Sequence, residues 1–553
     1  MSTTTNTFLQ IHHDDNALVA LTNLTKGTSI RFNGSEFRLE TDVAAKHKFT
    51  VGDLHPGDPI FMYGVLVGKA TQFIPRGAAI TTQNIEHAAN DFRLGERKLN
   101  WHQPNTSKWA NRTFMGFHRP DGSVGTANYW VVIPLVFCEN RNVEVLKEAL
   151  LDKLGYKKAL EYETDVENLI ELYKAGKPAH EILDVVPQEV FKETSDNKVF
   201  QNIDGIKFLT HEMGCGGTRL DSDALCGLLA GYITHPNVAG ATVLSLGCQH
   251  AQASILKKEI TKRDPDFKKP LIILEQQKEG TEKQLLQKAI VKTFAGLMEA
   301  NKVERQPAPL SKLCIGLECG GSDGFSGISA NPALGYISDV LVALGGSVIL
   351  AEFPELCGVE QELSDRCVNE ATAEKFNNLM RVYNQRAEET GSGFYANPSP
   401  GNIKDGLITD AIKSAGAAKK GGSSPVTDVL DYPEKVSKPG LNLLCTPGND
   451  VESTTAEVAG GANIVLFTTG LGTPTGNPVA PVVKLSTNTA IFNRMPDIID
   501  INCGTIIEGT ETIEQCAERI MEYIIDVASG NEQPKSVKLG QDDFIPWKRG
   551  VSL

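Results

Sequence analysis

Leu313-Cys-Ile-Gly-Leu-Glu-Cys319-Gly-Gly-Ser-Asp323, with Asn331-Pro332, Gly345-Gly346 and Val348–Ala351 after it, decides the fold. Leu313–Leu317 is a short, unbroken apolar run, the pattern of a strand buried on both faces. Asn331 supplies an N-cap and Pro332 a first helical residue, and the glycine pair ends the helix before the next strand. Strand, helix, strand is the unit of a parallel sheet.

Working outward, the same alternation runs from Phe114 onward. Val131–Val136, Ala241–Leu246 and Ile464–Phe467 are further buried-strand candidates. Leu286, Ile290, Phe294 and Leu297 stripe one helix face, and Thr512 to Ser529, closed by Gly530, is a terminal helix. The first 88 residues differ. Short apolar runs (Ala17–Leu21, Pro59–Val67) alternate with turn signals such as Asn33-Gly34 and His55-Pro56-Gly57, which predicts a small β module. Residues 89–112 lose periodicity and read as a linker long enough to let that module move. The expected plan is therefore α/β: a β module at 1–88, a linker at 89–112, a middle α/β domain at 113–305 and a parallel-sheet domain at 306–553. A charged helical insertion is expected at about 151–205.

The chain has 553 residues, 41% hydrophobic and 22% charged, which fits two to four domains of a globular protein. A net charge of −14 argues against a nucleic-acid or anionic-membrane partner, and the counter-charge for any anionic substrate must be local. Residues 1–15 are polar and no run approaches a membrane span, so a cytoplasmic location is expected, with the 11 cysteines reduced.

Ligands of open α/β sheets collect at the carboxyl ends of strands, and several ends here carry cysteine. Phe137 runs into Cys138, Lys207–Thr210 into His211-Glu-Met-Gly-Cys215, Ala241–Leu246 into Gly247-Cys248, and Leu313–Leu317 into Glu318-Cys319. Three cysteines from three such strand ends could hold an iron ion or an iron–sulfur cluster with one open position. The plain alternative is three small buried residues. Cys226, Cys314, Cys445 and Cys516 read as core. His211 is a candidate base, ligand or structural histidine. Gly470-Leu-Gly472 superficially matches a dinucleotide loop, but Asn477-Pro478 cannot start the required helix.

Several long strings together resemble the altronate/galactarate dehydratase family over nearly the whole chain. They are Ile11–Asn16, Arg119–Asn128, Gly316–Pro332, Asn397–Asn402 and Phe467–Pro474. Glu352–Gln361 and Leu441–Asp450 look more like its altronate branch. The resemblance implies a β-clip (SAF-like) first domain, a middle domain used in homodimer contact and a Rossmann-like C-terminal domain. It also implies dependence on Fe2+, sometimes replaced by Mn2+, at Cys215, Cys248 and Cys319, with Glu318, Asp323 and Glu352 as rival oxygen ligands. Asp15, Asn16, Asn128, Ser322, Asn331, Asn397, Ser399, Asn402, Thr469 and Thr473 become candidates for sugar-acid recognition. The implied reaction is β-elimination of water from a hexonate, with His211 as base and His12 or His47 protonating the leaving hydroxyl. Lys404 stands in for a lysine one position earlier. Basic residues are usual at Ala127, Ile403 and Leu471, an acid at Gln249 and Tyr at Met213, so the substrate expectation is weaker than the family one. A carbon–sulfur lyase on a sulfonated hydroxy acid and a catalytically silent sugar-acid-binding protein are the rival readings.

Overall fold

The computed structural model describes residues 6–90, 92–158, 163–185 and 197–552, so the expected insertion at 151–205 lies in part outside the described residues. The first domain is a set of small antiparallel sheets. One holds Phe8–Leu9, Ala17–Ala20, Lys48–Thr50 and Ala79–Ile80, and another holds Pro59–Met62, Val65–Ala70 and Ile85–Glu86. Asn33-Gly34 turns a hairpin with both residues at positive φ, the requirement that favours Asn-Gly in such turns.

The middle domain is a four-stranded, all-parallel sheet of Tyr129–Pro134 (β1), Gly205–Phe208 (β2), Val238–Ser245 (β3) and Leu271–Glu275 (β4), in the order β2-β1-β3-β4. Helices Asn140–Leu151 (α1), Arg219–Thr234 (α2) and Ala253–Arg263 (α3) follow its first three strands. The C-terminal sheet has seven parallel strands: Cys314–Cys319 (β5), Ser347–Leu350 (β6), Val426–Leu430 (β7), Gly440–Leu444 (β8), Ile464–Thr469 (β9), Val482–Ser486 (β10) and Ile501–Asn502 (β11). Their order is β7-β8-β6-β5-β9-β10-β11. The order reverses between β5 and β9, the switch point at which a crevice opens in such sheets.

The helix Ala330–Ala343 (α4) departs from expectation at its start: its N-cap is Ser329. Asn331 lies inside the first turn and spends its amide on the Gly416 carbonyl and the Thr468 hydroxyl. The terminal helix Ile513–Ser529 (α6) is as expected, with a Thr512–Gln515 capping box and Gly530 left-handed at its end. The helix between β8 and β9, Asp450–Gly460 (α5), packs against α2 and joins the two α/β domains through one apolar core.

The sheets are also stitched at both edges. Thr126 donates to the Asn463 carbonyl at their amino ends. The C-terminal tail crosses their carboxyl ends. Gly476 N–H donates to Asp543, Ile545 N–H to Thr455, Trp547 N–H to the Tyr432 hydroxyl and Arg549 N–H to Asp221. Both carboxyl edges therefore open on the same side.

The linker is not a free hinge. Arg93 N–H donates to Gln361, Arg97 to the Ser364 carbonyl, and Lys98 pairs with Asp365 at 2.6 Å. The first domain is held down as well: Thr409 donates to the Val67 carbonyl, and His87 pairs with Asp410. Among the described residues, no helix is long and apolar enough to cross a membrane.

Candidate active site

The loops after β5 and β9 meet at the switch point, and one glycine in each is required by what crowds it. A Cβ at Gly320 would sit 2.0 Å from the Asp450 carboxylate, and one at Gly470 would sit 2.3 Å from Cγ of Asp323. Gly470 and Leu471 N–H groups both donate to the Gly321 carbonyl at 3.0 Å. Thr469 and Thr473 hydroxyls face the same turn, and Asn402 holds the Ser322 carbonyl at 2.7 Å.

On one side of this loop is a buried ionic network. Lys420 Nζ is 2.9 Å from Cys319 Sγ and 2.8 Å from Glu352. The Cys319 thiol donates to Glu355 at 3.0 Å, and Lys413 holds Glu355 and Asn397, each at 2.6 Å. Glu352 has a left-handed backbone (φ 61°), a costly conformation for a non-glycine residue, and is held there by a bond from its N–H to the Thr446 hydroxyl. Burial and the two glutamates push the Cys319 thiol well up, so it stays protonated. Burial also raises Glu355, but Lys413 and Lys420 outweigh it and hold that carboxyl below its usual range. Burial, then Glu355, raises Glu352. Glu318 and Glu457 are driven well up by burial and by neighbouring carboxylates. Neither Glu318 oxygen has a hydrogen-bond partner. Asp450, half-buried at the start of α5, is pushed to about 7 by burial and by Glu352 and Glu355.

On the other side Asp323 is saturated. It accepts from Lys46 at 3.0 Å and from Phe325 N–H, Ser326, Thr487 and Asn488. Lys46 comes from the first domain and also pairs with Asp405 at 3.0 Å. Its neighbour Lys48, buried and lowered to about 7 by desolvation, donates to the Lys46 and Gly406 carbonyls.

The structure divides the predicted residues. Cys319, Glu318, Glu352, Asp323, Ser322, Asn397, Asn402, Thr469 and Thr473 gather at this loop. Ser399 caps its short helix in a box with Asn402. His47 reaches the domain junction, where its Nε2 meets the Lys404 carbonyl at 3.1 Å, while the Lys404 side chain is exposed. His12 is half-buried beside the exposed His13 and Asp14. Asp15 and Asn16 are turn-formers: Asp15 accepts from His12, Tyr63 and Gly64 N–H groups, and Asn16 bridges Pro59 and Phe61. Asn128 is fully buried under Arg119, away from the loop.

His211 is not placed to act as a base. Its Nε2 meets the Pro134 carbonyl at 2.8 Å and its Nδ1 accepts from Met213 N–H at 3.1 Å, so both nitrogens are committed. Burial lowers it to about 4. His211→Gln is expected to cost about 1–3 kcal/mol of stability through the stranded N–H, with kcat near that of the parent; denaturation and steady-state kinetics check this. Of the three positions where a basic residue was expected, Ala127 lies at the amino edge of β1, remote from this loop, whereas Leu471 packs beside Gly321 and Ile403 follows Asn402.

Two donor sets bear on iron. Cys319, Glu352 and Glu355 place ligand atoms within 4.8 Å of one another. Lys413 and Lys420 already balance those two carboxylates, so the set closes as an ion-pair network and does not fit a divalent ion. Asp323, with every oxygen engaged, does not fit either. Cys215 and Cys248 stand at the carboxyl edge of the middle sheet, on different strands from Cys319, and offer thiolates without competing ammonium pairs among the described residues.

Models of three successive domains match this chain: the altronate/galactarate dehydratase SAF domain at residues 6–88, the D-galactarate dehydratase/altronate hydrolase second domain at 116–301 and the D-galactarate/altronate dehydratase C-terminal domain at 310–552. The chain is 35% identical over 550 residues, 99% of both chains, to an altronate dehydratase of Bacillus subtilis (strain 168). It belongs to the altronate/galactarate dehydratase family. Further relatives are an altronate dehydratase of Escherichia coli (strain K12), 32% identical over 99% of this chain and 100% of that one, and that organism's galactarate dehydratase (L-threo-forming), 30% identical over 96% and 95%. Sequence reading missed Glu355, Lys413, Lys420, Asp450 and Lys46. Lys413 and Lys420 sit on successive segments, the helix Asp410–Ala417 and the 3-10 turn Ala418–Gly421, so no single helical period marked them in sequence.

Proposed function

We propose that this protein is a hydro-lyase of sugar acids, converting D-altronate to 2-dehydro-3-deoxy-D-gluconate and water. Full-length likeness to altronate dehydratases carries the substrate class. The observation that carries the chemistry is Asp450, a half-buried carboxylate poised near neutrality directly over the Gly320 turn. A base that removes the proton from C2 works best with a pKa close to the operating pH. Burial supplies most of that tuning, and the Glu352 and Glu355 carboxylates beneath add to it. The first domain, through Lys46 on Asp323, fixes the far side of the turn, and Thr469 and Thr473 are neutral groups suited to hydroxyls, whereas Asn397 is engaged by Lys413 and Glu355. Fe2+, with Mn2+ as substitute, is proposed as cofactor on the cysteine-bearing edge of the middle sheet, where Cys215 and Cys248 would hold it. Bound there, iron would act as a Lewis acid, offsetting the charge that builds on the substrate carboxylate.

A homodimer through the middle domain is also proposed. Val291, Phe294 and Met298 form an exposed apolar stripe on helix Glu282–Ala300 that a second copy would cover.

The test is an anaerobic assay of iron-loaded protein with D-altronate, galactarate and other sugar acids, reading 2-keto-3-deoxy acid. Altronate turnover that chelation abolishes is expected. Turnover of another sugar acid would reassign the substrate, and release of sulfite from a sulfonated hydroxy acid would replace the reaction.

A further inference from the structure

We infer that the iron centre is an iron–sulfur cluster held by Cys138, Cys215 and Cys248, with one iron open, and that Cys319 takes no part in it. The inference rests on the metal dependence proposed above and changes both its ligands and its nuclearity.

The middle sheet runs β2-β1-β3, and these three adjacent strands lead into Cys215, Cys138 and Cys248 respectively. Neighbouring strands lie about 4.8 Å apart, so three successive ends fall within about 10 Å. The order reverses between β1 and β3, which puts Cys138 and Cys248 on the two sides of this sheet's own switch point. The three loops are bound to one another. Phe137 N–H donates to the Met213 carbonyl and Ala251 N–H to the Gly214 carbonyl, each at 3.0 Å, and the Asn140 amide donates to the His211 carbonyl at 2.9 Å.

The thiols are also free to bind. Cys138 and Cys248 are exposed and Cys215 is half-buried. Among the described residues their one polar contact is the bond from the Gln277 amide to Cys248 Sγ at 3.3 Å. Cys319, by contrast, is fully buried and engaged by Glu352, Glu355 and Lys420.

The surroundings favour an anionic ligand set. α1, α2 and α3, of 12, 16 and 11 residues, begin at Asn140, Arg219 and Ala253, just after the three cysteines, and their amino ends carry positive partial charge. Gly214 and Gly247 take φ of 106° and 125°, and a Cβ at either would collide with the Leu135 carbonyl or the Gln277 amide, respectively, so both loops are held in fixed turns. Gln249 knits the Cys248 loop by accepting from Gly247 N–H and donating to the Ser245 hydroxyl and the Ala251 carbonyl. Two ferrous and two ferric ions with four sulfides make a core of charge 2+. Three thiols that release their protons to solvent bring the assembly to 1−, and the open iron keeps a site for an oxygen ligand.

The test uses the full chain under anaerobic conditions, given equal ferrous and ferric iron with sulfide, then desalted. Iron and sulfide are counted, and visible absorption and the paramagnetic resonance of the reduced sample are recorded. The parent is expected to retain iron and sulfide in equal amounts. Cys138→Ser, Cys215→Ser and Cys248→Ser are expected to lose most of both, with unchanged circular dichroism, and Cys319→Ala to retain them. Iron without sulfide, no bound iron, a cluster surviving in Cys138→Ser, or one lost from folded Cys319→Ala would each overturn the assignment. Altronate turnover is measured separately: turnover without a cluster sinks this inference alone, and a cluster without turnover of any sugar acid sinks the proposed activity alone.

Discussion

Asp450→Asn is expected to lower kcat by about a hundred- to ten-thousand-fold, the usual contribution of a positioned proton-transfer group. The amide keeps the shape of the side chain over Gly320 but cannot accept the C2 proton. In the parent, activity should fall as pH drops through about 7, because Asp450 must be ionised to act. The residual activity of the variant should lose that limb. Stability should move the other way. A carboxyl raised in the folded state binds more protons there than in the unfolded chain, so the parent loses stability as pH rises from the ordinary carboxylate range through about 7. The neutral amide has no such slope, and the variant should be the more stable protein at and above neutrality. Reduced kcat with an unchanged pH profile and no gain in stability would remove Asp450 from the role of base.

Local signals were legible in the sequence, and pairings between distant elements were not. The cap of α6 was readable because Thr512, Gln515 and Gly530 act on backbone within a few residues of themselves. The stripe on helix Glu282–Ala300 was read correctly at Leu297, which is buried, and in part at Leu286 and Ile290, which pack half-buried against the core, but not at Phe294. Phe294 is 39% exposed, whereas Leu285, Ala289, Thr293 and Gly296 face the sheet. Gly296 is there because a Cβ would sit 2.2 Å from the Trp130 ring. Apolar periodicity weighs hydrophobicity, whereas a close helix–sheet contact selects small size. The same limit applies at the site. Cys319 was visible as a polar strand end, but Glu355, Lys413 and Lys420 reach it from other elements, and in sequence each looks like an ordinary solvated charge. Cys138 was likewise visible at a strand end. Grouping it with Cys215 and Cys248 in place of Cys319 needs the strand order, which no single segment encodes.

Lys420→Met is expected to destabilise the protein by about 3–5 kcal/mol, the range for stranding one member of a buried ion pair. Methionine matches the length and fills the space, so the loss reports charge more than packing. Lys420 is 1% exposed and lies between Glu352 and Cys319, with Glu355 and Glu318 also contributing to its field. Without it, Glu352 either keeps a buried charge that only Lys413 offsets, or takes up a proton. Burial works against the ammonium, but the surrounding anions outweigh it and hold Lys420 well above the ordinary lysine range. A cation raised in this way stabilises the fold fully below its unfolded pKa, and the contribution is lost only as pH climbs through the raised value. The effect should therefore be constant across neutral and mildly alkaline pH. Lys420→Met with Glu352→Gln should regain most of the loss, because no unpaired charge remains, and a denaturation midpoint for each variant closes the cycle. If the double variant is as unstable as the single, Lys420 contributes packing alone and does not balance Glu352. Recovery in the double variant with the acid limb of Asp450 moved down in pH would tie the network to the base it tunes, since Glu352 is one of the two carboxylates that raise it.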